Sequence, residues 1–177
     1  MSPADQLTVA RALSVPVVVV LFAWSFHGHA YWASAIFCVA MTTDWFDGRL
    51  ARRHGRSSPL GSLLDPIADK VLVLGTMVML VGVVPAWMIA AILVREVLIT
   101  GLRQAAIERG IVIAARDLGK LKTWAQAIAT GLAGFAAAGA WGTGVAWWAM
   151  LVAVVLTWAS GLDYARSAPQ LFRPRTT

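Results

Sequence analysis

The chain has 177 residues, of which 59% are hydrophobic and 14% are charged, and its formal net charge is +6. A soluble domain is about half apolar and about a quarter charged, so this composition excludes most soluble enzymes, disordered tails and secreted disulfide scaffolds. The single cysteine, Cys38, excludes an intramolecular disulfide and a thiolate metal cage. In a chain this apolar, basic residues mark membrane orientation rather than nucleic-acid binding. We therefore expect an integral membrane protein with no nucleic-acid partner.

The apolar segments of the first two thirds of the chain predict four transmembrane helices. The first covers about residues 7–26, and the second begins near Ala30 and continues past Asp47. Residues 61–108 are long enough for two spans, because one span needs about 20 residues. These two spans meet near Pro85, and proline favours the first turn of a helix.

The last apolar segment, residues 123–162, contains no Asp, Glu, Lys or Arg and has the length of two spans. Gly142-Thr143-Gly144 supplies a predicted turn between them, since glycine and small polar residues interrupt helices. The sequence therefore predicts an all-α fold, a bundle of six transmembrane helices that forms a single domain over residues 1–177.

The basic residues give an independent test of this topology. Six spans place both termini on one side of the membrane, and the connections on the other side, about residues 26–31, 84–87 and 140–144, contain no Lys or Arg. The fifteen Lys and Arg all fall at or near the first side: Arg11, Arg49, Arg52, Arg53, Arg56, Lys70, Arg95, Arg103, Arg109, Arg116, Lys120, Lys122, Arg166, Arg173 and Arg175. The positive-inside rule then makes both termini cytoplasmic.

Four of the nine acidic residues lie within 26 positions, namely Asp44, Asp47, Asp65 and Asp69. Each pair is spaced by three or four residues and so shares one helix face. The two helices are consecutive and antiparallel, which brings both faces together at the cytoplasmic end. Four neighbouring carboxylates repel one another, and bound divalent cations remove that repulsion. Oxygen ligands alone favour Mg²⁺, Mn²⁺ or Ca²⁺ over zinc or copper.

Gly48, Arg52 and Gly61 lie beside the acidic cluster in the sequence. Glycine lets another group approach the backbone closely, and the planar guanidinium of arginine suits phosphate oxygens. Metals beside such groups indicate phosphoryl transfer. The alternative is that the basic residues of this loop neutralise the aspartates or contact anionic lipid headgroups.

The same residues carry a resemblance to a known family. The segment reads Asp44-Trp-Phe-Asp47-Gly48-Arg-Leu-Ala51-Arg52, then eight residues, then Gly61-Ser-Leu-Leu-Asp65-Pro-Ile-Ala-Asp69. It resembles the signature of the CDP-alcohol phosphatidyltransferases, D-x-x-D-G-x-x-A-R-x8-G-x-x-x-D-x-x-x-D, at all eight fixed positions. The resemblance implies six transmembrane helices with the signature on the second and third, and a homodimer.

The resemblance also implies a role for each residue of the signature. The four aspartates would hold two divalent cations, Mg²⁺ or Mn²⁺, and Asp69 would also act as the general base. Gly48, Arg52 and Ser58 would contact the CDP part of the lipid, and Gly61 would let the cytidine lie against its helix. An acceptor alcohol then attacks the β-phosphorus of a CDP-linked lipid, and CMP leaves.

The second half of the chain indicates the acceptor. Arg95-Glu96-Val-Leu-Ile-Thr-Gly-Leu-Arg103, followed by Gly119-Lys120-Leu-Lys122-Thr123 and Gln126, resembles the phosphatidylglycerophosphate synthases. Arg95, Arg103, Lys120 and Lys122 could form a cationic pocket for glycerol 3-phosphate, a dianion, with CDP-diacylglycerol as the lipid donor. Positive-inside bias and lipid contacts are the alternative for these residues, and Arg95 could instead pair with Glu96 inside the bundle.

Other functions remain open from the sequence. Within the family, the alternatives are a cardiolipin synthase that accepts phosphatidylglycerol, or an enzyme for an inositol phosphate. The segment Leu7-Thr8-Val-Ala-Arg11 resembles the opening of the phosphatidylglycerophosphate synthases, but that opening carries Pro-Asn where this chain has Ala4-Asp5. Outside the family, the aspartates could serve a divalent-cation transporter, but transporters place their ligands near the midplane of the membrane. We expect an enzyme in the inner membrane whose active site faces the cytoplasm.

Overall fold

The computed structural model is a bundle of α-helices. It describes residues 3–54, 59–108 and 117–166, and among these it describes the side chains of residues 9–43, 67–108 and 118–166. The described residues form six helices and no β-strand: α1 (Pro3–Ala23), α2 (His29–His54), α3 (Pro59–Met79), α4 (Ala86–Glu108), α5 (Asp117–Ala137) and α6 (Thr143–Arg166). The prediction of an all-α fold with six helices is thereby confirmed.

The helix boundaries confirm several predictions from the sequence. Helix α2 continues past Asp47 to His54, so part of the acidic signature belongs to this helix. Helix α4 begins directly after Pro85, where the sequence places a helix start. Helix α1 ends at Ala23, three residues before the predicted boundary, and Gly28 precedes α2 with a φ of 78°.

The turn between α5 and α6 differs from the prediction. Thr143 and Gly144 belong to the first turn of α6, so they do not form the connection. The chain reverses instead around Gly139, whose φ of 80° lies in the left-handed region that favours glycine. The uncharged sequence contains several glycines, and only the backbone conformation distinguishes the one that turns the chain.

All six helices contribute to one hydrophobic core. Its fully buried side chains include Val18 of α1, Phe37 of α2, Leu72 of α3, Met88 of α4 and Met150 of α6, and α5 supplies alanines to the same cluster. Helix α1 packs against α2 and α3, α5 packs against α2 and α6, and α4 packs against α6. The core therefore fixes the relative positions of the helices that carry the candidate site.

Helices α2 and α5 approach each other through small residues. A Cβ on Gly134 would lie 2.4 Å from Ser34 Oγ, and a Cβ on Gly131 would lie 3.3 Å from Cys38 Sγ. Ser34 Oγ donates a hydrogen bond to the carbonyl oxygen of Ala30, so its polar atom is satisfied within α2. Small residues at a helix crossing allow close backbone packing, as is typical of helices within membranes.

The length and composition of the helices support only part of the predicted membrane topology. Among the residues described, α6 is the one helix whose length and composition suffice to cross a membrane, and Val9–Ala23 is a shorter apolar segment. The six-span topology and the cytoplasmic location of both termini stay predictions.

Candidate active site

The predicted metal and CDP-lipid ligands belong to α2, α3 and the connection between them. Six of them lie on helical backbone but outside the residues whose side chains are described: Asp44, Asp47, Gly48, Arg52, Gly61 and Asp65. Ser58 lies outside the described residues. The side chains described contain no group of three or more His, Cys, Asp or Glu that could hold a metal. The predicted two-metal cluster therefore stays a prediction, carried by the four carboxylates of the signature.

Asp69 is the one residue of the signature whose side chain is described, and it pairs with Arg11. Arg11 Nη1 donates a hydrogen bond to Asp69 Oδ1 at 2.6 Å. Arg11 is only 4% exposed, and it reaches Asp69 from α1. A charge-assisted hydrogen bond of this kind fixes the orientation of the carboxylate and offsets the cost of burying the guanidinium. Arg11 therefore positions the predicted general base.

Asp69 lies at the wall of a cavity of about 440 Å³. The lining comes from five helices: Met41 of α2, the middle of α3, the second half of α4, the first half of α5 and the last turns of α6. All four residues predicted to bind the acceptor phosphate line this same cavity: Arg95, Arg103, Lys120 and Lys122. The structure thus brings together the predicted base and the predicted cations, which the sequence separates by 26 to 53 positions.

Charged side chains give the cavity a positive balance. Five described cations line it, the four above and Lys70, against three described anions, Asp69, Glu96 and Asp163. Five positive and three negative side chains leave a formal charge of +2. A partly enclosed site with this balance attracts a small anion more strongly than the same charges in open water would.

Glu96 is the anion around which the cations are arranged. The residue is 5% exposed, and its carboxylate accepts hydrogen bonds from Arg95 Nη1 at 2.9 Å and from Lys122 Nζ. Lys70 Nζ lies 3.7 Å from its Oε2, and Gln126 Nε2 lies 3.4 Å from its Oε1. The pairing of Arg95 with Glu96, one of the two alternatives that the sequence left open, is therefore present in the structure.

Arg95 also contacts α6. Its Nη2 donates a hydrogen bond to Ser160 Oγ at 3.0 Å. The guanidinium lies directly against Gly161, where a Cβ would be 2.9 Å from Arg95 Nε. Glycine at this position therefore lets α4 and α6 enclose the arginine between them.

Lys70 is held by α4 as well. Its Nζ donates a hydrogen bond to Thr100 Oγ1 at 2.7 Å, and Thr100 Oγ1 donates in turn to the backbone carbonyl of Glu96 at 2.7 Å. The lysine follows Asp69 directly in α3, so this bond ties the predicted base to the helix that carries Glu96.

Sequence reasoning missed two of these roles. The sequence places Arg11 among the cytoplasmic charges and in the opening segment, and no local pattern indicates a partner 58 residues away. For Glu96, the sequence indicates only a pairing with its neighbour Arg95. A usable signal existed for Glu96, because it is the single acidic residue between Asp69 and Glu108. An isolated carboxylate in an apolar segment is a candidate for a buried ion pair.

Comparisons with known proteins find one family model and several relatives that match this chain. The sequence model of the CDP-alcohol phosphatidyltransferase family matches residues 1–159. A probable phosphatidylglycerophosphate synthase of Mycobacterium tuberculosis (strain CDC 1551 / Oshkosh) is 41% identical over 170 residues, which cover 93% of this chain and 80% of the relative. The CDP-diacylglycerol–glycerol-3-phosphate 3-phosphatidyltransferase of Bacillus subtilis (strain 168) is 40% identical over 139 residues, 71% of this chain and 72% of the relative. The protein of that name from Escherichia coli (strain K12) is 40% identical over 129 residues, 70% of this chain and 71% of the relative.

The Glu96 cluster generates a prediction about stability. Glu96→Gln keeps the size of the side chain but leaves Arg95 and Lys122 buried without their counter-charge. Breaking one partner of a buried ion pair costs about 3–5 kcal/mol, so we expect a large loss of folding free energy. Thermal or denaturant unfolding of the purified protein in detergent measures it.

A double-mutant cycle separates the ion pair from general damage to the core. The double variant Glu96→Gln/Lys122→Met should lose about 1–3 kcal/mol less folding free energy than the sum of the losses of the two single variants. Glu108→Gln, at the exposed end of α4, is the matched control and should stay within about 0.5 kcal/mol of the parent protein. Additive effects of the two core substitutions would contradict the role assigned to Glu96.

Proposed function

The chain belongs to the CDP-alcohol phosphatidyltransferase family, and we propose that it transfers the phosphatidyl group of CDP-diacylglycerol to glycerol 3-phosphate. The products are phosphatidylglycerophosphate and CMP. The names of the relatives at about 40% identity describe this reaction. The observation from the structure that carries the choice of acceptor is the cavity that joins Asp69 to four predicted acceptor cations.

The charge of the cavity suits this acceptor. Glycerol 3-phosphate is a dianion, and the described lining carries a formal charge of +2. Uncharged acceptors such as inositol or glycerol would leave that charge without a counter-ion. The cations of α4 and α5 and the base of α3 line one cavity, which suits an acceptor with a phosphate at one end and a hydroxyl at the other.

The chain's own residues account for the acceptor half of the reaction. Asp69 takes the proton of the attacking hydroxyl, and Arg11 holds the carboxylate in place for this step. The acceptor oxygen forms a bond to the β-phosphorus of CDP-diacylglycerol. The bond from that phosphorus to the bridging oxygen breaks, and the oxygen leaves with CMP. Lys120, Lys122 and Arg103 bind the acceptor phosphate and orient the hydroxyl. Arg95, whose Nη1 and Nη2 already donate to Glu96 and Ser160, adds positive charge to the wall.

We further propose two divalent cations, Mg²⁺ or Mn²⁺, held by Asp44, Asp47, Asp65 and Asp69. The donor set fits such ions, since it consists of carboxylate oxygens alone. When bound, the cations supply positive charge for the phosphates of the CDP-lipid. The CDP part is proposed to lie against α2 and the beginning of α3, in contact with Gly48, Arg52, Ser58 and Gly61.

We propose that the protein is a single six-span domain over residues 1–177 in the inner membrane, with both termini and the active site on the cytoplasmic side, and that it forms a homodimer. Large apolar side chains are exposed on all six helices, among them Val17, Trp32, Val71, Val97 and Trp148. Exposed apolar surface of this extent suits contact with lipid chains. The one-sided distribution of Lys and Arg supports the orientation.

The acceptor is tested by CMP release. Purified protein in detergent receives CDP-diacylglycerol, Mg²⁺ or Mn²⁺ and one acceptor at a time. We expect CMP release with glycerol 3-phosphate. Chelation of the cations should abolish this release, and return of either cation should restore it. Release only with phosphatidylglycerol or an inositol phosphate would contradict the proposed acceptor, and cation binding without CMP release would support a transporter instead.

Asp69→Asn removes the proposed base and keeps the shape of the side chain. We expect kcat to fall by about 10²–10⁴-fold, the usual contribution of general base catalysis, with partial retention of CDP-lipid binding. Glu108→Gln serves as the carboxylate control and should leave kcat unchanged. An Asp69→Asn variant with full turnover would contradict the assignment.

Lys120→Ala tests the acceptor pocket by comparing the two substrates. Loss of a cation that contacts the acceptor phosphate should raise KM for glycerol 3-phosphate by about tenfold and leave KM for CDP-diacylglycerol within twofold. Arg166→Ala, an exposed cation at the end of α6, should change neither value. Equal increases in both KM values would count against the pocket.

A further inference from the structure

Tyr164, near the end of α6, is a buried polar residue that the proposed mechanism does not yet use. It lines the cavity that contains Asp69 and the acceptor cations, and it is 9% exposed. Its hydroxyl is buried and has no hydrogen-bond partner among the residues described. An unsatisfied buried hydroxyl costs about 1–3 kcal/mol, so a buried group of this kind in a cavity wall indicates a partner that binds there.

The ring of Tyr164 contacts one of the acceptor cations. The guanidinium carbon of Arg103 lies over the ring, 5.8 Å from its centre. This separation is within the range of a cation–π interaction. The contact joins α4 to α6 at the cavity, so the ring restricts where the Arg103 guanidinium lies.

A second buried donor lies on the same wall. Arg95 Nε has no hydrogen-bond partner among the described residues, and it lies against Gly161, three positions before Tyr164 on α6. The wall between α4 and α6 therefore presents two buried donors beside a cavity of positive charge. Oxygen atoms of an anion are the chemical complement of this wall.

We propose that Tyr164 is a specificity-determining residue of the acceptor site, whose hydroxyl donates a hydrogen bond to a phosphate oxygen of the acceptor while its ring positions Arg103. This inference rests on the proposed function. The acceptor phosphate is favoured over those of the CDP-lipid because the CDP contacts are assigned to α2 and the beginning of α3. Tyr164 belongs instead to the wall formed with the cations of α4.

Tyr164→Phe tests the hydroxyl alone, because the ring and its contact with Arg103 remain. We expect KM for glycerol 3-phosphate to rise about tenfold or more, the usual effect of losing a hydrogen bond to a charged group. KM for CDP-diacylglycerol and kcat should stay within twofold. Tyr31→Phe is the matched control: Tyr31 is the other tyrosine of the chain, is exposed and packs its ring against Phe135. It should leave all three values within twofold.

Thermal unfolding separates ligand contact from a structural role. Without ligand, Tyr164→Phe should keep or raise the midpoint of thermal unfolding, because it removes a buried hydroxyl that has no hydrogen-bond partner among the described residues. Addition of glycerol 3-phosphate should raise the midpoint of the parent protein and of Tyr31→Phe more than that of Tyr164→Phe.

The other outcomes overturn the inference in distinguishable ways. A parent protein without turnover on glycerol 3-phosphate overturns the proposed function and this inference with it. If the parent protein turns over glycerol 3-phosphate and Tyr164→Phe leaves both KM values unchanged, the proposed function stands and only this inference is overturned. A selective rise in KM for CDP-diacylglycerol assigns the hydroxyl to the lipid donor, and a lower midpoint with equal rises in both KM values indicates a structural role.

Discussion

The buried carboxylate of Glu96 holds the polar interior of this bundle together. Arg95 and Lys122 are themselves largely buried, and both donate to it from α4 and α5, while Lys70 approaches it from α3. Cations in such a position need a counter-charge, since the desolvation cost of an unpaired buried ion is several kcal/mol. The relative placement of α3, α4 and α5 at this end of the bundle therefore depends on one negative charge.

The same arrangement prepares the cavity for an anion. Glu96, Asp69 and Asp163 offset only part of the positive charge, so the described lining keeps a balance of +2. Glu96 also holds Arg95 and Lys122 in fixed positions. Arg103 is placed differently, over the ring of Tyr164. A phosphate that enters such a site meets cations already oriented by the protein, and preorganised charge of this kind binds without the cost of rearrangement.

Local sequence predicted the helices well and the contacts between them poorly. The lengths of the apolar runs and Pro85 give six helices, and the spacing of the signature aspartates is visible without a structure. The bonds of Asp69 with Arg11 and of Glu96 with Lys122 join residues 58 and 26 positions apart. Such pairs form only between helices that pack together. That packing depends on close contacts such as Gly134 against Ser34. These contacts leave no periodic pattern in the sequence.

The ion pair of Asp69 and the ion pairs of Glu96 are linked through two neighbouring residues of α3. Asp69 is bound by Arg11 of α1, and the next residue, Lys70, is bound by Thr100 of α4 near Glu96. A shift of α3 would therefore disturb the proposed base and the acceptor cations together. This coupling suits a reaction in which one small molecule must present its hydroxyl to a carboxylate and its phosphate to cations at the same time, because misplacement of either end by about 1 Å costs on the order of 10²-fold in rate.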